Sequence, residues 1–126
     1  MTPLESLQRR VSIGKLQAPA PDEEQLEDLI LAAVRAADHG NLTPWRFIII
    51  QDQGLVKLGE LFAEVAAVRK PAISPEELQR FKTLPLRAPM IITVVAKVQS
   101  HPKVPDLEQL LSAGAAAQNL INAAFI

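Results

Sequence analysis

Gln109-Leu110-Leu111-Ser112-Ala113-Gly114-Ala115-Ala116-Ala117-Gln118-Asn119-Leu120-Ile121-Asn122-Ala123-Ala124-Phe125-Ile126 is a run of 18 residues without one charged side chain. Its alanines and leucines favour helix, and a helix of that length reaches about 27 Å, enough to cross a small domain or to lie along a second copy of itself. Because apolar residues fall on nearly every side, the run is expected as a buried core helix. A membrane span is the competing structure for so long an apolar stretch. Ser112, Gly114, Gln118, Asn119 and Asn122 dilute its apolarity, however, and no basic flank follows, so a membrane partner is not expected. The final residues offer neither a glycine cap nor a basic side chain to answer the helix dipole, so the chain reads as ending inside that helix.

Working back from this helix, two further runs read as strands. Trp45 to Gln51 and Met90 to Lys97 are rich in isoleucine, valine and aromatic residues, and each follows a proline. Since Ile48, Ile49 and Ile50 do not alternate with polar residues, both strands are expected to be covered on two faces. Two strands make a very small sheet, so either they pair with each other or further strands come from a second chain or from sequence beyond this one. Helix starts stand out through their capping chemistry. Thr2-Pro3-Leu4-Glu5 combines a hydroxyl cap, a proline at the first helical position and a glutamate at the third, predicting a short helix to about Arg9. Asp22 with Gln25 opens a second helix, in which Leu26, Leu29, Ile30, Ala33, Val34 and Ala37 recur on one face. Leu58, Leu61, Phe62 and Val65 mark a third. Ser74-Pro75-Glu76-Glu77 starts a fourth, with Leu78 and Phe81 as its expected buried side.

Composition narrows the chemistry. The chain has 126 residues, 48% of them hydrophobic and 21% charged, as in an ordinary globular domain. A formal net charge of -1 provides no electrostatic footprint for nucleic acid. The absence of cysteine removes disulfides, thiol catalysis and cysteine-held metals, and two histidines leave little for any other transition-metal site. The first ten residues lack the apolar run of a secretory signal, so a cytoplasmic protein is expected.

Two segments carry candidate binding groups. Arg9-Arg10-Val11-Ser12 puts arginines and a hydroxyl at the end of the first helix, a combination that holds a phosphate monoester through charge-assisted hydrogen bonds. The plainer reading is that the arginines only answer the helix dipole. Arg35-Ala36-Ala37-Asp38-His39-Gly40-Asn41-Leu42-Thr43-Pro44-Trp45 is a helix end and polar turn feeding a strand, a junction where ligands often bind. Its plainer reading makes His39 a surface histidine, Trp45 a core anchor, and Asp38 and Asn41 turn residues.

Together, in this order and spacing, the two segments resemble the nitroreductase family of FMN-dependent NAD(P)H oxidoreductases, in its shorter bacterial branch. Arg10-Val11-Ser12 is similar to that branch's Arg-Arg-Ser signature. Arg35-Ala36-Ala37-Asp38-His39 resembles its Arg-Ala-Pro-Asp-His, and Pro44-Trp45-Arg46-Phe47 its Gln-Pro-Trp-x-Phe. Arg87-Ala88-Pro89 with the second strand, Lys103-Val104-Pro105, and Glu108-Gln109 with Ser112-Ala113-Gly114 continue the likeness along essentially the whole chain. Val11 stands in place of an arginine, Ala37 of a proline and Thr43 of a glutamine.

The resemblance implies an α+β sandwich, a central sheet flanked by helices, forming an intertwined homodimer with FMN in two pockets at the subunit interface. Residues 1–126 would be the N-terminal two-thirds of one such domain. Arg10, Val11 and Ser12 would hold the FMN phosphate and ribityl end from one subunit, and Arg35 and His39 would approach the same flavin from the other. Asn122, Ala123, Ala124, Phe125 and Ile126 would lie where the branch contacts the nicotinamide cofactor. The implied activity is that of a flavoprotein oxidoreductase passing hydride from NADH or NADPH through flavin N5 to nitroaromatic or quinone-type acceptors by a ping-pong mechanism. No side chain of this chain is expected to act as a catalytic group, and no metal is implied. The alternative is a catalytically inactive remnant that keeps the dimer helix as an interaction module.

Overall fold

The computed structural model describes all residues, Met1–Ile126. In chain order the elements are α1 (Pro3–Arg9), α2 (Glu23–Ala33), a 3-10 turn (His39–Asn41), β1 (Trp45–Gln51), α3 (Gln53–Arg69), α4 (Pro75–Thr83), a second 3-10 turn (Leu84–Arg87), β2 (Met90–Ala96) and α5 (Asp106–Phe125). This is an α+β chain, and its two strands pair with each other in one sheet. The Lys97 N–H donates to the Pro44 carbonyl at 2.9 Å, which ties the end of β2 to the start of β1 and makes the pair antiparallel.

The helix starts follow their capping residues. The Thr2 hydroxyl accepts from the Glu5 N–H at 3.2 Å while the Glu5 carboxylate accepts from the Thr2 N–H at 2.7 Å. The Thr2 backbone and hydroxyl groups hold the Glu5 carboxyl below its ordinary value. Asp22 and Gln25 form the same reciprocal pair at 2.8 and 3.1 Å. At α4 only half of that arrangement is made: the Ser74 hydroxyl accepts from the Glu77 N–H, but the Glu77 side chain turns instead to Lys70.

Two compact units divide the chain, one of Met1–Ser12, Pro21–Ile48 and Thr93–Ile126, the other of Ile13–Ala20 and Ile49–Ile92. In the first, α5 packs against α2, α1 and the turn at His39. Leu29 and Ala33 of α2 and Ala113, Ala116 and Leu120 of α5 supply buried apolar groups, joined by Val104. The Asn119 amide donates across to the Ala32 carbonyl at 3.2 Å, a second bond to a carbonyl that also accepts from the Arg35 N–H, and so ties α5 to the last turn of α2. In the second unit α3 packs on α4 and the turn after it. Gly59 allows this approach, for a Cβ there would lie 1.9 Å from the Lys82 carbonyl oxygen. The segment before Pro21 is fastened by Arg87, whose guanidinium donates to the Gly14 carbonyl and whose carbonyl accepts from the Leu16 N–H, both at 2.7 Å.

Several sequence expectations need correction. The α2 pattern reaches to Ala37, but the helix ends at Ala33, where the Arg35 and Ala36 N–H groups close tighter bonds to Ala32 and Ala33. In this chain the strands are half-buried, with Arg46, Ile48, Gln51, Thr93 and Ala96 exposed, because the faces of the two-stranded sheet are only partly covered. On α3 the packed face is Leu55, Gly59 and Ala66, leaving Leu61 and Val65 exposed. Phe81 of α4 is exposed as well. Within this one chain α5 is buried along one side only. Gln109, Ser112, Ala113, Ala116 and Leu120 are buried on one side, while Leu107 (65% exposed), Leu110, Leu111 (64%), Gly114, Gln118, Ile121 and Phe125 form a bare stripe on the other. At about 100° per residue these positions share one helical face. No helix is long and apolar enough to cross a membrane.

Candidate functional site

All the binding residues expected from sequence fall in the first unit. Arg10 is the C-terminal cap of α1, its N–H bonded to the Ser6 carbonyl at 3.0 Å and its backbone already extended. Val11 and Ser12 follow outside any helix or strand and are exposed. Arg35 lies just past the end of α2, also exposed. Neither Arg10 nor Arg35 is engaged by a carboxylate or by any side-chain hydrogen bond of this chain. Two guanidinium groups with no internal counter-ion are suited to an external anion, since nothing within the fold already neutralises them.

His39 is placed differently. It begins the 3-10 turn, and its Nδ1 lies 2.6 Å from the Glu108 carboxylate in the first turn of α5. A carboxylate accepts, so Nδ1 carries the proton and Nε2 is the nitrogen left to meet a ligand. The turn that presents His39 is held by Asp38, whose two carboxylate oxygens accept from the Leu42 N–H at 3.0 Å and the Thr43 N–H at 2.8 Å. Gly40, Asn41 and Thr43 all have positive φ (77°, 50° and 46°), a sharp reversal that those two bonds stabilise. Gly40 is needed for a second reason: a Cβ there would press on Val104 at 3.3 Å.

Behind the turn is a polar support that the sequence reading did not single out. Gln109 is almost completely buried. Its amide donates to the carbonyls of Gln99 (2.8 Å) and Val104 (3.2 Å), and its oxygen accepts from the Gln99 N–H (2.9 Å). Gln99 in turn donates to the Leu42 carbonyl at 3.3 Å. His101 accepts the Lys103 and Val104 N–H groups through Nδ1, each at 3.1 Å. These bonds fasten residues 99–104 to α5 and to the His39 turn without leaving any buried side-chain polar atom unpaired. Glu108 and Gln109 adjoin in sequence, but their partners are 69 and 10 residues away, so neither role has a local signature.

No hydrogen bond or ion pair joins Arg10, Val11 or Ser12 to Arg35 or His39 within one chain. Asn122 to Ile126 close α5: Asn122 accepts from the Gln118 amide at 3.0 Å and is half-buried with Ala123, whereas Ala124, Phe125 and Ile126 are exposed. No group of acidic residues and histidines is arranged to hold a metal ion.

Comparison with known proteins gives this geometry a context. The family model described as "Nitroreductase family" matches residues 7–125. A Haemophilus influenzae protein named "Putative NAD(P)H nitroreductase" is 46% identical over 121 residues, covering 95% of this chain; the chain spans 65% of that relative's length. Among solved structures, a nitroreductase-like family protein from Bacillus cereus aligns over 98% of this chain and 64% of its own, with a TM-score of 0.77 and 20% identity. A nitroreductase from Desulfitobacterium hafniense, solved with bound FMN, aligns over the same shares with a TM-score of 0.67 and 20% identity. At that identity the two structures establish the likeness of fold.

Proposed function

Because the chain belongs to the nitroreductase family, we propose that it forms part of a single-domain FMN-dependent NAD(P)H oxidoreductase working as a cytoplasmic homodimer, with FMN at the subunit interface. The observation that carries this reading is the 46% identity, over 95% of the chain, to a relative bearing an NAD(P)H nitroreductase name. The geometry supports it in two places. Arg10 and Arg35 stand at two helix ends outside any ion pair of this chain and are free to meet an anionic group. The bare stripe of α5 matches what a second copy would cover, with apolar side chains at both ends and Gly114 in the middle, where nothing lies within 4 Å of a Cβ.

In this reading Arg10 and the Ser12 hydroxyl bind the FMN phosphate, and the extended backbone at Arg10 takes the chain through Val11 beyond the end of α1. Arg35 and His39 meet the flavin of the partner subunit, His39 through Nε2 because Glu108 holds its other nitrogen. Asn122 to Ile126 border the place of the nicotinamide. When bound, FMN supplies hydride transfer through N5 between NAD(P)H and a nitroaromatic or quinone-type acceptor, in ping-pong order. The chain's own task is to bind, orient and electrostatically tune the cofactor. Arg10→Ala is expected to weaken FMN binding by about 1.5–3 kcal/mol, the worth of a hydrogen bond to a charged group. Flavin fluorescence titration measures this, and an unchanged affinity removes Arg10 from the site.

A further inference from the structure

The second unit contains a recess with no part in the flavin reading. Between α3 and α4 runs an open groove of about 900 Å³. Leu61, Phe62, Val65, Ile73, Phe81 and Leu84 give it apolar walls, and most of that surface is exposed in a chain whose core is otherwise small. Around its rim stand Arg69, Lys70 and Arg80 against a single carboxylate, Glu77. Lys70 and Glu77 pair at 2.8 Å, and neither Arg69 nor Arg80 has a carboxylate within 4.0 Å, although Arg80 also acts on Glu77 through space. An apolar trough whose rim carries three cations against one carboxylate is complementary to a molecule that joins an apolar body to an anionic end. The volume also lies in the range of small-molecule sites.

We propose that the α3–α4 groove binds an amphipathic organic carboxylate, its hydrocarbon or aromatic body lying along Leu61, Phe62, Val65 and Phe81 and its carboxylate meeting Arg69 and Arg80. A neutral apolar molecule would leave both arginines unanswered, and a small inorganic anion would leave the apolar walls wet. Geometry also gives the groove a fixed width, since the backbone of Lys82 lies against Gly59 and holds the two helices at one separation. The Lys70–Glu77 pair bridges the start of α4 to the end of α3 and caps one side of the rim.

The test uses the complete chain and three twelve-carbon probes kept below their micelle concentrations: dodecanoate, dodecanol and dodecylammonium. Isothermal titration calorimetry is expected to show saturable dodecanoate binding at one site per chain, with dodecanol weaker and dodecylammonium weakest. Arg69→Gln and Arg80→Gln, both at exposed positions outside any ion pair within 4.0 Å, should each weaken dodecanoate about fivefold, the upper range for a solvent-exposed ion pair. Neither change should alter dodecanol binding. Val65→Asp should abolish binding of both. The proposal is overturned if the three probes bind equally, if the arginine variants leave dodecanoate unchanged, or if no probe saturates because another copy or another segment covers the groove. Circular dichroism on each variant separates loss of binding from loss of fold.

Discussion

Gly59 offers a direct check on how α3 and α4 are held together. Replacing it with alanine would put a methyl group 1.9 Å from the Lys82 carbonyl oxygen and 2.9 Å from its carbon, where ordinary contact begins at 3.4 Å, so the helices must part by the 1.5 Å difference. The obstacle is backbone in the last residues of α4, and no side-chain rotation relieves it. Overpacking of this kind costs about 1–3 kcal/mol, and a rigid obstacle places the cost at the upper end. Alanine recovers about 1 kcal/mol through its better helix propensity. The net expectation is destabilisation by about 2 kcal/mol. Urea unfolding followed by far-ultraviolet circular dichroism measures it, with Glu64→Ala, an exposed change on the same helix, as a control expected within about 0.5 kcal/mol of the parent. Should Gly59→Ala prove as stable as the parent or more so, α3 and α4 are not packed as described.

Other consequences follow from the polar contacts. Gln109→Leu would strand the Gln99 N–H and the carbonyls of Gln99 and Val104, at about 1–3 kcal/mol for each group left dry, and hydrogen exchange should show residues 99–104 opening first; unchanged protection there would mean Gln109 is not the fastener. Lys70 beside it, with Arg80 adding to the effect, holds the Glu77 carboxyl below its ordinary value. Its folded value therefore lies below its unfolded one, so its contribution is complete above the usual carboxylate range and disappears as pH falls through the folded value. The stability gap between the parent and Glu77→Gln should accordingly be present at neutral pH and close on acidification, and a gap independent of pH would contradict the pairing.

What could be read from sequence differs element by element. Thr2 with Glu5, and Asp22 with Gln25, announce their helices because the bonding partners lie three residues apart, and the structure makes these bonds as expected. Helix ends were less legible. The apolar period in α2 runs on to Ala37, but the reversal at Gly40, Asn41 and Thr43 and the demands of Asp38 take the chain out of helix at Val34. Burial was the least legible property. Ile48 to Ile50 and the α5 stripe look like interior sequence, but whether such residues are covered depends on what lies against them, and this chain alone does not supply it. At the site, the candidate cations were recognised as a pattern, whereas Glu108 on His39 and Gln109 beneath the turn are meetings across sequence that no local spacing encodes.

The central claim, that this chain carries an FMN site shared between two copies, is tested most directly by a visible spectrum of the purified protein before and after adding FMN, with size exclusion on the same sample. The expected result is a dimer holding about one flavin per chain, its bands bleached by NADH or NADPH. A monomer that remains colourless in excess FMN would contradict it.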